Sequence, residues 1–262
     1  MLDVSTFATQ RLTDGRAALL LAAGFGAGVF NGVAGGGTLI SFPALLALGY
    51  PALTANMSST VGIWPGYLGS VAGFRPEIAD QRRHLRVLAP LTVLGAVVGA
   101  ALLLTTPSHA FSRIAPWLVL FASLLFVLRP LLAKGLARLG HADGQVHRPI
   151  LFVGMFLAAV YGGYFGAAMG VIMLAVLGLA LPDTLARSNG LRALLSVLAN
   201  GVAALVFVVH GALPWAAVGA LALGCLVGGY AGAVLARRLP VPVMRVVIVC
   251  IGLATGIRLL VG

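Results

Sequence analysis

Acidic residues are nearly missing from this chain. Its 262 residues include six Asp or Glu against 17 Lys or Arg, and charged residues of both signs make up only 9%. A soluble domain carries about 25% charged residues, so a surface facing mainly water is excluded. Asp3, Asp14, Glu77, Asp80, Asp143 and Asp183 all fall in tails, loops or segment ends, and no carboxylate lies within an apolar block. Cation carriers and many proton-coupled carriers use Asp or Glu inside the membrane, and that equipment is absent. The two cysteines, Cys225 and Cys250, sit inside apolar blocks, where they read as small core residues rather than a disulfide or a metal pair. No CxxC, HExxH, GxSxG or Walker-type sequence occurs. His210 ends a segment, the other four histidines lie in loops, and none is spaced to share a metal. The chain is therefore expected to have no catalytic residues, no metal and no cofactor, and not to be an enzyme.

What is present is apolar. Hydrophobic residues make up 60% and the mean hydropathy is +1.07. The blocks fall at about 17–33, 37–50, 54–74, 85–106 and 110–133, then 149–165, 168–181, 184–210, 213–236 and 241–261. The fold class is an all-α integral membrane protein with about ten segments. Arg11 and Arg16 precede the first block as in a secretory signal, but no small-x-small cleavage site follows and the run continues into the motif below, so the segment is read as retained. A full span needs about 20 residues. Blocks 37–50 and 168–181 are shorter, and each follows a glycine-rich joint that can break a helix.

Those two joints repeat. NGVAGGGTLISFPALLALGYP at 31–51 and GGYFGAAMGVIMLAVLGLALP at 162–182 align at an offset of 131, which matches Gly32 with Gly163, Gly35 with Gly166, Ala44 with Ala175 and Pro51 with Pro182. A weaker echo at an offset of 129 matches Gly95 and Gly99 with Gly224 and Gly228. Paired broken segments in two halves are the best sequence pointer to a transporter's binding site. Five segments per half is an odd number, so the halves enter from opposite sides as a 5+5 inverted repeat: residues 1–133, a polar cytoplasmic linker at 134–148, and residues 149–262. With both termini outside, the inner loops hold Arg75, Arg82, Arg83, Arg86, Arg129, Lys134, Arg138, Arg148, Arg187, Arg237, Arg238 and Arg245, twelve of the 17 basic residues. The positive-inside rule selects that orientation. The net charge of +11 is spread over loops rather than gathered into a stripe, so no nucleic-acid partner is expected.

Each broken segment precedes a helix with a polar face: Asn56, Ser59, Thr60 and Tyr67 in the first half, Ser188, Asn189, Arg192, Ser196 and Asn200 in the second. Polar groups in lipid face a bundle interior or a cavity. For Ser196 and Asn200, bonding between helices is the simpler reading. Arg192 lies about two turns inside its segment, about 12 Å along the axis, and either snorkels or faces a ligand. With no acid in the membrane, backbone N–H groups at half-helix tips, amides, hydroxyls and one guanidinium suit an anion. The expected substrate-binding residues are Asn31, Gly35, Gly36, Gly37, Thr38, Asn56, Ser59, Gly163, Gly166, Ser188, Asn189 and Arg192, with the joints 35–38 and 166–170 as anion nests. Gly24, Gly28, Gly224 and Gly232 are expected to serve helix packing.

The stretch GFGAGVFNGVAGGGTLISFPALLALGYPALTANMSSTVG at 24–62 resembles the signature region of the TauE/SafE membrane proteins, also known as sulfite exporters or four-toluene-sulfonate uptake permeases. Residues 160–201 are similar to that family's degenerate second repeat, and the linker and RRLP at 237–240 fall where its pattern has them. The resemblance implies alternating-access transport of a small anion across a bacterial inner membrane: export of sulfite, sulfoacetate or another organosulfonate, or else uptake of such an anion. GAAMG at 166–170 departs from a GGxGG-like run, which implies an asymmetric site. A non-transporting scaffold subunit would have no use for the broken segments and Arg192. Expected partners are the anion, membrane lipid and a second copy in a homo-oligomer.

Overall fold

The computed structural model describes residues 13–33, 35–73, 78, 81–139, 148–181, 183–235 and 241–261. These form ten helices and no strand: α1 (Asp14–Val33), α2 (Thr38–Ala47), α3 (Ala52–Gly73), α4 (Arg82–Thr105), α5 (Ser108–Leu139), α6 (Arg148–Tyr164), α7 (Met169–Ala180), α8 (Leu185–His210), α9 (Trp215–Leu235) and α10 (Val241–Val261). Helix α5 runs six residues past the expected segment end at 133, which shortens the connector; residues 140–147 of that connector lie outside the described residues. Four stretches, Arg82–Thr105, Ser108–Leu131, Arg187–His210 and Trp215–Gly232, are long and apolar enough to cross a membrane.

The two joints break the chain in the same way. Gly35 takes φ +77° and its N–H donates to the Phe30 carbonyl at 3.0 Å; Gly166 takes φ +80° and donates to the Tyr161 carbonyl at 3.2 Å. A glycine in the left-handed region closing a bond five residues back is a helix stop that satisfies an orphan carbonyl. The equivalence at offset 131 thus holds in the backbone as well as in the letters. Past the joints, α2 has 10 residues and α7 has 12. At 1.5 Å per residue they span about 15 and 18 Å, well short of a hydrocarbon core of about 30 Å.

The helices pack across the halves. Helix α1 lies on α9 and α6 on α4; α3 lies on α9 and α8 on α4; α2 meets α10 and α7 meets α5; α3 and α8 meet each other. Close crossings use glycine. A Cβ on Gly228 would collide with the Phe25 carbonyl and one on Gly99 with that of Val160, while a Cβ on Gly95 would stand 2.6 Å from the Phe156 oxygen and one on Gly232 2.7 Å from that of Val29. Phe25 and Phe156, like Val29 and Val160, are 131 apart, so the contacts match Gly95 with Gly228 and Gly99 with Gly232. Those separations are 133 rather than 129, which corrects the weaker echo by about one helical turn. Gly24, Gly28, Gly224 and Gly232 all face helix backbone across the α1–α9 crossing, as their spacing suggests.

Val at Gly99 or Gly228 has no room against those carbonyls, and overpacking costs about 1–3 kcal/mol or more. Both variants are expected to lose most of the monodisperse protein recovered by size exclusion. Gly219→Val, where nothing lies within 4 Å of an added Cβ, is expected to elute like the parent.

Candidate functional site

The two joints meet, and Arg192 sits where they meet. An added Cβ on Gly35 would collide with Arg192 Nη1, and one on Gly170 would come within 2.6 Å of the same atom and 3.3 Å of the Gly35 Cα. Thr38 Oγ1 and Asn200 Oδ1 lie 3.8 and 3.7 Å from the Cβ position of Gly166. The ring of Phe42, on α2, stands edge-on to Phe165, beside the second joint, at 5.5 Å. Removing side-chain bulk at Gly35 and Gly170 is what lets a guanidinium from α8 enter between the joints.

Arg192 is 2% exposed, so it does not snorkel. Its Nε and Nη2 have no hydrogen-bond partner. Among the described residues, the charged group that acts on it most strongly is another cation, Arg129 on α5, and Tyr67 on α3 is within electrostatic reach. A charge taken out of water without a counter-charge costs several kcal/mol, and buried groups normally find partners.

Further unmet atoms of the joints and of the helices that follow them include Asn31 Nδ2 and Ser188 Oγ, both fully or almost fully buried, and the acceptors Asn56 Oδ1 and Asn200 Oδ1. With Arg192 Nε and Nη2, three of these six atoms donate only and one hydroxyl can donate. The polar residues that are satisfied fix the joints. Gly37 N–H donates to Asn31 Oδ1 at 2.8 Å, and Ser41 and Ser59 share a 2.6 Å hydroxyl contact beneath the Gly37 carbonyl. Asn56 Nδ2 donates to the Tyr164 carbonyl at 2.9 Å and so ties α3 to the end of α6. Trp64 Nε1 donates to the Val197 carbonyl at 3.1 Å, joining α3 to α8.

Several expected site residues are placed elsewhere. Gly163 faces Ala96 and Ala100 on α4, and its missing side chain serves that crossing. Gly36 faces Phe126 of α5 and Ile248 of α10, an apolar seal beside the joint. Ser196 and Asn200, read from the sequence as bonding residues rather than site residues, bond to the Met173 sulfur of α7 and to the Ser196 carbonyl respectively. Asn189 is half-buried on α8. The half-helix tips are also less open than expected. The N–H groups of Leu39, Ile40 and Ser41 donate to Gly36 and Gly37, and those of Met169, Val171 and Ile172 to Gly166 and Ala168. Unmet side-chain donors therefore stand beside tips whose backbone N–H groups are in part already bonded. Ala168 takes φ +61° where Gly37 has −57°, so the two tips differ in shape.

Sequence reasoning did not single out Ser41, Phe126, Arg129 or Ile248. Arg129 looks like a loop cation because it lies four residues from a block end, and only packing shows which centre it faces.

The family model described as sulfite exporter TauE/SafE matches residues 20–259. The chain is 26% identical over 82% of its length to a probable membrane transporter protein of Haemophilus influenzae, covering 83% of that protein. It is 28% identical to the probable membrane transporter protein ORF9 of a Sinorhizobium species, over 93% of this chain and 92% of the relative. It is 25% identical to the probable membrane transporter protein YfcA of Escherichia coli, over 89% and 86%. No solved structure matches.

Proposed function

Because the chain belongs to the TauE/SafE family of membrane transporter proteins, we propose that it carries a small sulfur-containing anion, sulfite or an organosulfonate such as sulfoacetate, held at Arg192 between the two joints. The observation that carries this reading is the buried guanidinium with two free donor nitrogens and, among the described residues, no acid acting on it. An oxyanion supplies both the missing counter-charge and the missing acceptors, and a planar guanidinium binds an oxyanion through two parallel N–H groups. Asn31 and Ser188 are the neighbouring donors. Tyr67 tunes the field at the guanidinium.

The mechanism is alternating access of a 5+5 inverted repeat. The reciprocal packing of α1 on α9 and α6 on α4, and the matched left-handed stops at Gly35 and Gly166, support that symmetry. With Arg192 2% exposed, the arrangement is occluded, and Phe126 and Ile248 against Gly36 close one side. Rocking one half opens the joint to either face. Arg129, half-buried on α5, acts on Arg192 and is in turn acted on by Arg245 of α10. These two cations draw the anion toward the joint from their own side.

The direction is export from a bacterial cytoplasm, with both termini outside the inner membrane. An anion leaving a negative interior gains about 2.3 kcal/mol per charge per 100 mV. Export then needs no coupled cation, in keeping with a chain whose apolar blocks hold no carboxylate. Proteoliposomes loaded with sulfite or sulfoacetate are expected to release it several-fold faster when a potassium gradient with valinomycin makes the lumen negative. Release indifferent to the potential contradicts uncoupled export.

A further inference from the structure

One cleft lies away from the joints. Its volume is about 360 Å³, and it is formed by the first turns of α4 and α6: Arg83, His84, Val87 and Leu88 on one side, Arg148, Leu151 and Phe152 on the other. Neither helix has an acidic residue in its first turn. Two positive helix ends and two guanidiniums therefore face one space. Asp183 is the acid bonded to this end of α4, and it is already engaged: Gln81 Nε2 donates to one oxygen at 2.6 Å, while Arg187 Nε stands 3.0 Å from the other and the Thr184 N–H 2.8 Å. His84 is held by Gln81 at 2.9 Å. Among the described residues, no acid is paired with Arg83 or Arg148.

The other wall is apolar and continues outward. Val87 is 48% exposed and Leu94, two turns on along the same face of α4, is 58%; on α6, Val153 and Leu157 are 59% and 58% exposed. The basic mouth lies where the apolar span Arg82–Thr105 begins. An ordinary soluble anion would use the arginines and leave this wall bare.

We propose that this cleft binds the headgroup of an anionic phospholipid, such as phosphatidylglycerol, with the phosphodiester on Arg83 and Arg148 and an acyl chain along Val87 and Leu94. The site is independent of Arg192 and of what the protein carries. Basic pockets between helices at the membrane surface recognise anionic headgroups, and each surface Arg adds about 1 kcal/mol. Two arginines correspond to roughly thirty-fold in affinity.

The test is native mass spectrometry of detergent-purified protein titrated with phosphatidylglycerol, phosphatidylcholine of the same chains, and glycerol phosphate. Wild type is expected to retain phosphatidylglycerol roughly thirty-fold more strongly than phosphatidylcholine, with glycerol phosphate not competing at equal concentration. Arg83→Gln/Arg148→Gln is expected to bring the two lipids level. The charge-matched variant Arg113→Gln/Arg258→Gln is expected to keep the preference. Equal retention of both lipids by wild type overturns the proposal without needing any variant to fold. Full competition by glycerol phosphate also overturns it, by showing a free-phosphate site. Preference persisting in Arg83→Gln/Arg148→Gln, or lost equally in Arg113→Gln/Arg258→Gln, places the lipid elsewhere.

Discussion

Arg192→Met is expected to abolish anion flux while leaving the empty protein at least as thermostable as wild type. Both halves of that result follow from one fact: the guanidinium is buried with two free donors and, among the described residues, a second cation as the charge that acts on it most strongly. Removing one member of a satisfied buried ion pair costs about 3–5 kcal/mol, because it strands the other. Here the protein supplies no other member, so methionine of similar bulk relieves a desolvation cost and strands nothing. The loss appears only when an anion is present. Flux is expected to fall by about two to four orders of magnitude, the equivalent of that same 3–5 kcal/mol. Sulfite at about a hundred times its dissociation constant stabilises a binding protein by about 2.7 kcal/mol; wild type is expected to show such a rise in Tm and Arg192→Met none. Arg192→Lys keeps the charge and loses the planar fork, so its flux falls between the two. If Arg192 served packing alone, methionine would lower Tm whether or not sulfite was added, and the rise with sulfite would survive.

Alanine substitutions at three glycines separate backbone strain from blockage of the site. Gly35→Ala forces a left-handed Ala, which costs about 1–2 kcal/mol, and also drives a methyl into Arg192. Gly166→Ala carries the same strain at φ +80°, but its methyl meets the Gly162 carbonyl at 3.2 Å and lies 3.7 Å from Asn200, away from the guanidinium. Gly170→Ala has no left-handed backbone, yet its methyl comes within 2.6 Å of Arg192 Nη1. Flux at equal protein is expected to drop at least about ten-fold in Gly35→Ala and Gly170→Ala, since 1.4 kcal/mol of misplaced guanidinium suffices. Gly166→Ala is expected to lower Tm with a smaller loss of flux. Flux that instead follows Tm across the three variants would assign these glycines to folding alone.

Much of this arrangement is legible in the letters. The offset of 131 locates both helix stops because a left-handed turn closing on a carbonyl five residues back demands glycine, and Gly35 and Gly166 supply it. The short lengths of α2 and α7 follow from the same breaks. Arg192 is conspicuous because an arginine two turns inside an apolar segment is rare. Two other features resist reading. The echo in the fourth helix of each half is off by about one turn, because glycines spaced by four look alike under a four-residue shift, and only the carbonyl each one meets fixes the register. The tips of α2 and α7 fold into tight turns that engage several of their own N–H groups, a matter of local angles that composition does not encode. Gly36 and Gly163 sit within the repeated motifs and still face other groups than Arg192, the Phe126 and Ile248 side chains and the α4 backbone respectively, since neighbouring residues in a turn point in different directions.

The most direct test places an electron-rich analogue of sulfite in the protein. Selenite shares sulfite's charge and pyramidal shape, and its selenium can be located by anomalous scattering. Crystals of wild type grown with selenite are expected to show one strong selenium peak between Gly35 and Gly170, its oxygens within hydrogen-bond distance of Arg192 Nε and Nη2, and to lose it in Arg192→Met. A selenium peak only at other basic residues, with both Arg192 nitrogens bonded to protein or water, would contradict an anion site at the meeting of the two joints.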